Sequence, residues 1–147
     1  MSIARNRRAY HEYEIIKEYE AGIVLTGSEV KSVRQGHVQL GQSYGRIESG
    51  EVFLVNAHIS PYDKSQEREY DPMRERKLLL KKREIRQLAR HIELKGLTLV
   101  PTRIYFARGW AKVSLALGRG KKKSDKRRAL REKDARREIE RERKREV

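Results

Sequence analysis

Residues Glu20 to Gly36 read EAGIVLTGSEVKSVRQG, an apolar run that passes through a glycine straight into a short two-faced helix. Gly22 and Gly27 bracket Ile23, Val24 and Leu25, the pattern of a strand that ends at a corner. Thr26 or Ser28 stands where a helix N-cap is needed, Val30 and Val33 share the apolar side, and Gly36 supplies the residue type that tolerates a left-handed helix end. The other side carries Lys31, Ser32, Arg34 and Gln35, all hydrogen-bond donors and well suited to phosphate and sugar oxygens.

Working outward, the odd positions from Tyr13 to Ile23 are mostly apolar and the even ones mostly glutamate, which predicts a half-buried strand. Before it, Arg5, Asn6, Arg7 and Arg8 make a basic terminal arm expected to lie extended on the surface, either frayed or tracking a phosphate backbone. After the helix, Gln42–Ile47 and Val52–Ile59 read as a hairpin turning at Glu48 to Glu51, and Ser60–Met73 as a charged loop. Lys77–Lys95 has an apolar stripe at helical spacing and ends at Gly96; Leu97–Phe106 and Ala111–Leu117 form a last hairpin through Arg108 and Gly109. Five or six short strands and two helices, with glycine at the corners, predict a mainly β fold: a small closed antiparallel OB-like barrel over residues 1–120 with two or three flanking helices.

The chain has 147 residues, enough for one domain, with 36 Lys and Arg against 21 Asp and Glu. The resulting +15 fits a polyanionic partner, nucleic acid first and an anionic membrane second. No stretch is long and apolar enough to span a bilayer, and charges stand where a signal peptide needs an apolar segment, so a cytoplasmic protein is expected. There is no cysteine, and the four histidines show no ligand spacing; no metal and no cofactor are expected. Lys121–Val147 holds fourteen basic and seven acidic residues, a net +7 that leaves +8 on the first 120 residues, so both parts are basic. The tail has no glycine, no proline and no apolar face, which predicts disorder when free and helix formation among phosphates.

Catalysis needs a convergent set of groups, and none is visible. His11 or His58 with a lysine would be required for a ribonuclease, and Ser28 with Lys31 sits on a solvated helix without an oxyanion site; no enzyme is expected. Glu20 is either an ion-pair partner or an acceptor for base amino groups, and Leu79 reads as core. Tyr13 and Tyr44 are candidates for base stacking. A structural ribosomal protein with the same basic composition is the rival from another class.

The opening segment closely resembles the signature of the SsrA-binding protein family, small protein B, the bacterial partner of transfer-messenger RNA. Similar wording recurs in order along nearly the whole chain: IARNRRAYHEYEI (Ile3–Ile15), NAHISPY (Asn56–Tyr62), DPMRERKLLLKKREI (Asp71–Ile85), KGLTLVP (Lys95–Pro101), AKVSLALGRGKK (Ala111–Lys122) and DKR (Asp125–Arg127). The resemblance implies an oligonucleotide-binding-type barrel with flanking helices that recognises the tRNA-like part of that RNA and brings it to stalled ribosomes for trans-translation. By the match, Asn6, His11, Glu20, Leu79 and Lys112 fall where the family places RNA contacts, and Lys81 stands where the family can carry a neutral polar residue. The arm residues Arg5 and Arg7 and the helix donors Lys31, Ser32 and Arg34 complete the expected RNA face. Arg119, Lys121, Lys122, Lys123, Asp125, Lys126, Arg127 and Ile139 are expected to meet the ribosome, with the tail a helix in the empty message channel. Implied partners are the RNA, the ribosome and elongation factor Tu with the aminoacylated RNA, the protein itself being a monomer.

Overall fold

The computed structural model describes residues 2–62, 69–121 and 123–145. Among the described residues the order is β1 (Ser2–Arg5), α1 (Arg7–Glu12), β2 (Tyr13–Ile23), α2 (Gly27–Arg34), β3 (Val38–Gln39), β4 (Tyr44–Glu48), β5 (Glu51–Val55), β6 (His58–Ile59), β7 (Arg76–Leu79), α3 (Lys82–Lys95), β8 (Thr98–Ala107), β9 (Trp110–Gly120) and α4 (Lys123–Arg145). The molecule is mainly β, as its alternating patterns predict. In the large sheet β8, β4, β5, β7, β2 and β9 neighbour one another in that order, and β9 pairs back onto β8, so the strands form a closed antiparallel ring. β1 adds to the outer edge of β8, and β3 pairs with β6.

Closure has a local requirement. β4 meets β8 at Gly45 opposite Leu99, where a Cβ would stand 2.8 Å from the Leu99 Cβ, so the two strands approach only because position 45 has no side chain. The interior is filled by the inward residues of each strand, among them Leu54, Leu78, Leu99, Ile104, Leu115 and Leu117, each at most 1% exposed. α3 covers this core through Leu88, fully buried, with Ile85 and Ile92 beside it.

The structure differs from the sequence pattern at both ends of the ring. The predicted helix over 77–95 begins only at Lys82, because Arg76–Leu79 is drawn into strand pairing with β2 and β5. Leu79 is therefore not core: alternation along β7 buries Leu78 and leaves Leu79 52% exposed. The N-terminal residues are not an extended surface arm either, since Ser2–Arg5 joins β8 and α1 follows at once. α1, α2 and α3 flank the ring, within the two or three helices expected, and α4 lies in the tail.

α4 has no buried face where its side chains are described: residues 131 to 143 are exposed all round, including Ile139. Lys122 lies outside the described residues. No described helix is long and apolar enough to cross a membrane.

Candidate nucleic-acid interface

β2 and β9 run side by side over most of their length, Tyr13 opposite Gly120 at one end and Gly22 opposite Lys112 at the other. Nine residues of strand separate these ends by roughly 30 Å. The residues singled out from the sequence do not converge on one site; they divide between the two ends.

At the Gly22 end lies a groove of about 510 Å³ lined by Gly22, Ile23, Val24, Leu25, Val30, Leu79, Phe106, Gly109, Trp110, Ala111 and Lys112. Its floor is apolar and its rim is charged. Leu79 lies against Gly22, where a Cβ would come within 3.3 Å of the Leu79 Cβ. Across the strand pair, Lys112 Nζ is 3.8 Å from Glu20 Oε1, a loose ion pair, and the Tyr105 hydroxyl donates to Glu20 Oε2 at 2.7 Å. Burial first, and then the adjacent Glu20 carboxylate, push the Tyr105 hydroxyl up to about 12, so Tyr105 is a fixed donor that orients Glu20. The ion-pair reading of Glu20 is thus met by a lysine rather than an arginine, while a side chain 58% exposed keeps accepting capacity toward solvent.

α2 stands over the same end. Its start is the capping box that the sequence allows: the Glu29 amide donates to Thr26 Oγ1 at 3.2 Å, and the Thr26 amide donates to Glu29 Oε1 at 3.0 Å. Of its four candidate donors Lys31, Arg34 and Gln35 are exposed and Ser32 is not. Lys31 is exposed with its ammonium 5.4 Å from the Tyr62 ring centroid, and the exposed Arg34 places its guanidinium 5.0 Å from that of Phe106 on the groove. Ser32 is buried, and its hydroxyl donates to the Ser60 carbonyl at 2.6 Å. Lys81, exposed, precedes α3 two residues beyond Leu79, and its amide donates to Glu84 Oε1.

Beneath α2 is a buried ionic cluster that the sequence did not signal. Glu29 and Arg76 have fully buried side chains; Arg76 Nε donates to Glu29 Oε2 at 2.8 Å, and its other nitrogens reach the carbonyls of Ala57 at 2.6 Å and Pro72 at 3.0 Å and the Tyr70 hydroxyl at 2.9 Å. Arg74 pairs with the other Glu29 oxygen. Burial pushes the Glu29 carboxyl up, but the Thr26 amide and the two guanidinium groups outweigh it and hold it below its ordinary value. The same surroundings, burial foremost, push the Tyr70 hydroxyl up to about 12. The cluster ties α2 to the residues that lead into β7, and so fixes the helix donors relative to Leu79.

Arg5 is exposed on β1 opposite Arg103, which pairs in turn with Ser114 opposite Glu20, so it stands toward the Gly22 end; toward the other end, Arg7 and His11 are exposed on α1. Asn6 is buried at 4% exposure, and its amide nitrogen donates to the carbonyls of Pro101 at 2.8 Å and Leu40 at 3.2 Å while its oxygen accepts from the Ala9 amide. Its polar atoms therefore cap α1 and join it to the ring. Lys121 continues β9 into the tail, its amide donating to the Glu12 carbonyl at 2.8 Å and its ammonium to the Tyr10 carbonyl at 3.1 Å. Arg119 is 3.8 Å from Glu14. Lys123, Asp125, Lys126 and Arg127 lie in α4. Tyr44 is exposed at 38%, whereas Tyr13 packs against Gly118. His11 and His58 sit on different elements, α1 and β6.

Trp110 is the residue that sequence reasoning missed. It is the single tryptophan of the chain and stands 72% exposed on the groove rim. The available signal was the Arg108–Gly109 turn, which places the next residue at the tip of the hairpin; both turn residues take positive φ, 53° and 80°.

A closed β ring with an apolar groove under a cationic rim at one end, and a basic helical tail at the other, defines a small nucleic-acid-binding protein. The chain belongs to the SmpB protein family, whose model matches residues 3–145. The SsrA-binding protein of Caldicellulosiruptor bescii is 57% identical over 137 residues, covering 93% of this chain and 87% of that one. That of Desulfitobacterium hafniense, strain DSM 10664 / DCB-2, is 52% identical over 139 residues, 95% of this chain and 89% of its own. A solved chain described as "tmRNA-SmpB: a journey to the center of the bacterial ribosome" is 52% identical and superimposes with a TM-score of 0.68 over 87% of this chain and 94% of that one.

Proposed function

We propose that this protein binds the tRNA-like part of transfer-messenger RNA and delivers it to stalled ribosomes for trans-translation. The observation that carries the reading is the groove at the Gly22 end. An exposed leucine and tryptophan beside a lysine–glutamate pair have no use in the ring's own core, but they suit an unstacked base with its phosphate nearby. The reading is supported by the relatives, which are SsrA-binding proteins, and by the structural neighbour, which is a tmRNA–SmpB assembly.

In this account Glu20, Leu79, Lys81, Lys112, Lys31 and Arg34 meet the RNA directly, while Asn6 and Ser32 hold the elements that carry those contacts. The tail, Lys121–Val147, enters the empty message channel of the ribosome as a helix, Arg7, His11 and Arg119 lie toward its root, and Arg5 stands level with Glu20 on the RNA side. The protein acts without catalysis in the cytoplasm, as a monomer, beside elongation factor Tu on the aminoacylated RNA. Sequencing of the RNA that co-purifies with the full chain tests this. One small RNA with a tRNA-like end is expected, whereas ribosomal RNA retained with a subunit through a high-salt wash would make it a structural ribosomal protein.

A further inference from the structure

α3 joins the two ends of the molecule. Its first turn follows Leu79, which pairs with Gly22 at the groove; its last residue leads through Gly96 to Thr98, opposite Gly118 and hence beside Ile15 near the tail root. Fourteen residues of helix span about 20 Å, enough to run from one end of the ring toward the other.

The outer side of this helix is a line of cations. Arg83, Arg86 and Arg90 fall at helical spacing on the side opposite Ile85, Leu88 and Ile92, with Lys82 flanking them, and all four cations are exposed. Successive Arg positions are set off by about 4.5 to 6 Å along the axis. Several cations elsewhere on the ring are neutralised: Arg46 by Glu48 and Glu75, Lys77 by Glu51, Arg74 and Arg76 by Glu29. Among the described residues Lys82, Arg83, Arg86 and Arg90 have no ion pair, and neither acidic residue of the helix offsets them: Glu84 accepts from the Lys81 amide, and Glu93 stands alone toward the far end. A membrane surface does not fit this helix, because its apolar stripe of Ile85, Leu88 and Ile92 is already packed on the ring and the exposed Leu94 alone makes no face to insert.

We infer that α3 is a second RNA contact, a phosphate track on which the duplex backbone of the RNA captured at the groove continues past Lys81 toward the tail end. The inference rests on the function proposed above and extends it from a local groove to a contact along the side of the molecule. Continuity with Leu79 and Lys81 assigns the track to that same RNA. The recognition is of charge alone, since guanidinium groups spaced along a straight helix meet phosphates without reading bases.

The test uses the full chain, a transcript of the tRNA-like domain, and dissociation constants measured across a salt series. Arg83→Gln/Arg86→Gln/Arg90→Gln is expected to lower the log–log salt slope by about 2 to 3, at roughly 0.9 per lost duplex phosphate contact. Binding should weaken at least ten-fold with an unchanged melting temperature, and Arg83→Lys/Arg86→Lys/Arg90→Lys should keep the wild-type slope. An unchanged slope in the glutamine variant, with normal binding by the unaltered protein, overturns this inference alone and leaves the ridge to an acidic protein surface. Equal loss in the lysine variant also overturns it, because the contact would then depend on guanidinium geometry. Absence of binding by the unaltered protein would remove the proposed function, and the track with it.

Discussion

Arg76→Ala should be among the most damaging single changes available in this chain. The Arg76 side chain is fully buried and donates to Glu29, Ala57, Pro72 and Tyr70. Truncation strips Glu29 of one of its two guanidinium partners and strands two buried carbonyls. Breaking a buried ion pair by removing one member costs about 3–5 kcal/mol, a large share of the ~5–15 kcal/mol that holds a domain together. At about 2–4 °C per kcal/mol for a domain near this size, the melting temperature should fall by roughly 10 °C. Urea unfolding followed by circular dichroism measures the loss, and a double-mutant cycle separates its cause. Arg76→Met and Glu29→Gln should each be costly alone, while the double variant should cost clearly less than their sum, because neither charge is then left buried without its partner. A near-neutral Arg76→Ala, or strict additivity in the cycle, would refute the buried-cluster reasoning.

Three further outcomes follow from the same structure. The Glu29 carboxyl is held below its ordinary value of 4.5, so its contribution to stability is present above that value and is lost as pH falls through the lowered folded one; Glu29→Gln should be less stable at neutral pH with a shallower acid limb in pH-dependent unfolding. Trp110 is the sole tryptophan and stands on the groove rim, so RNA binding should quench its emission, and Trp110→Ala should weaken binding by about 1–3 kcal/mol, the scale of base–aromatic stacking, without changing the melting temperature. Truncation after Gly120 should leave RNA affinity within a few-fold while abolishing tagging on stalled ribosomes, and Ile139→Pro, costing about 3 kcal/mol within a helix, should reproduce much of that loss in a reconstituted tagging assay.

The fold was legible where local chemistry and tertiary packing agree. Thr26 as N-cap before Val30 and Val33 announces α2, Gly36 follows its end, and the alternation from Tyr13 to Ile23 announces β2. It was misread where they compete. Arg76–Leu79 is built of good helix formers with no breaker before Lys82, and only pairing with β2 and β5, invisible along the sequence, makes it a strand. That boundary governs the site, because strand alternation is what turns Leu79 outward. Asn6 and Ser32 carry donors that suit RNA, yet both are committed to carbonyls far along the chain, Pro101 and Ser60, which no periodicity can reveal. Glu29 and Arg76 were hidden for a related reason: in a chain this rich in charge, burial of one opposite pair leaves no mark on composition.

The central claim is that the Gly22 end of the ring captures the tRNA-like RNA through Glu20 and Lys112. Both occupy outward positions of paired strands and are partly exposed, so Glu20→Ala/Lys112→Ala leaves the core untouched. The dissociation constant of this double variant for the tRNA-like domain, measured beside its melting temperature, is the direct test. The account predicts binding weakened by about 1–3 kcal/mol, roughly 5- to 150-fold, at an unchanged melting temperature. An unchanged dissociation constant in a fully folded variant would contradict it.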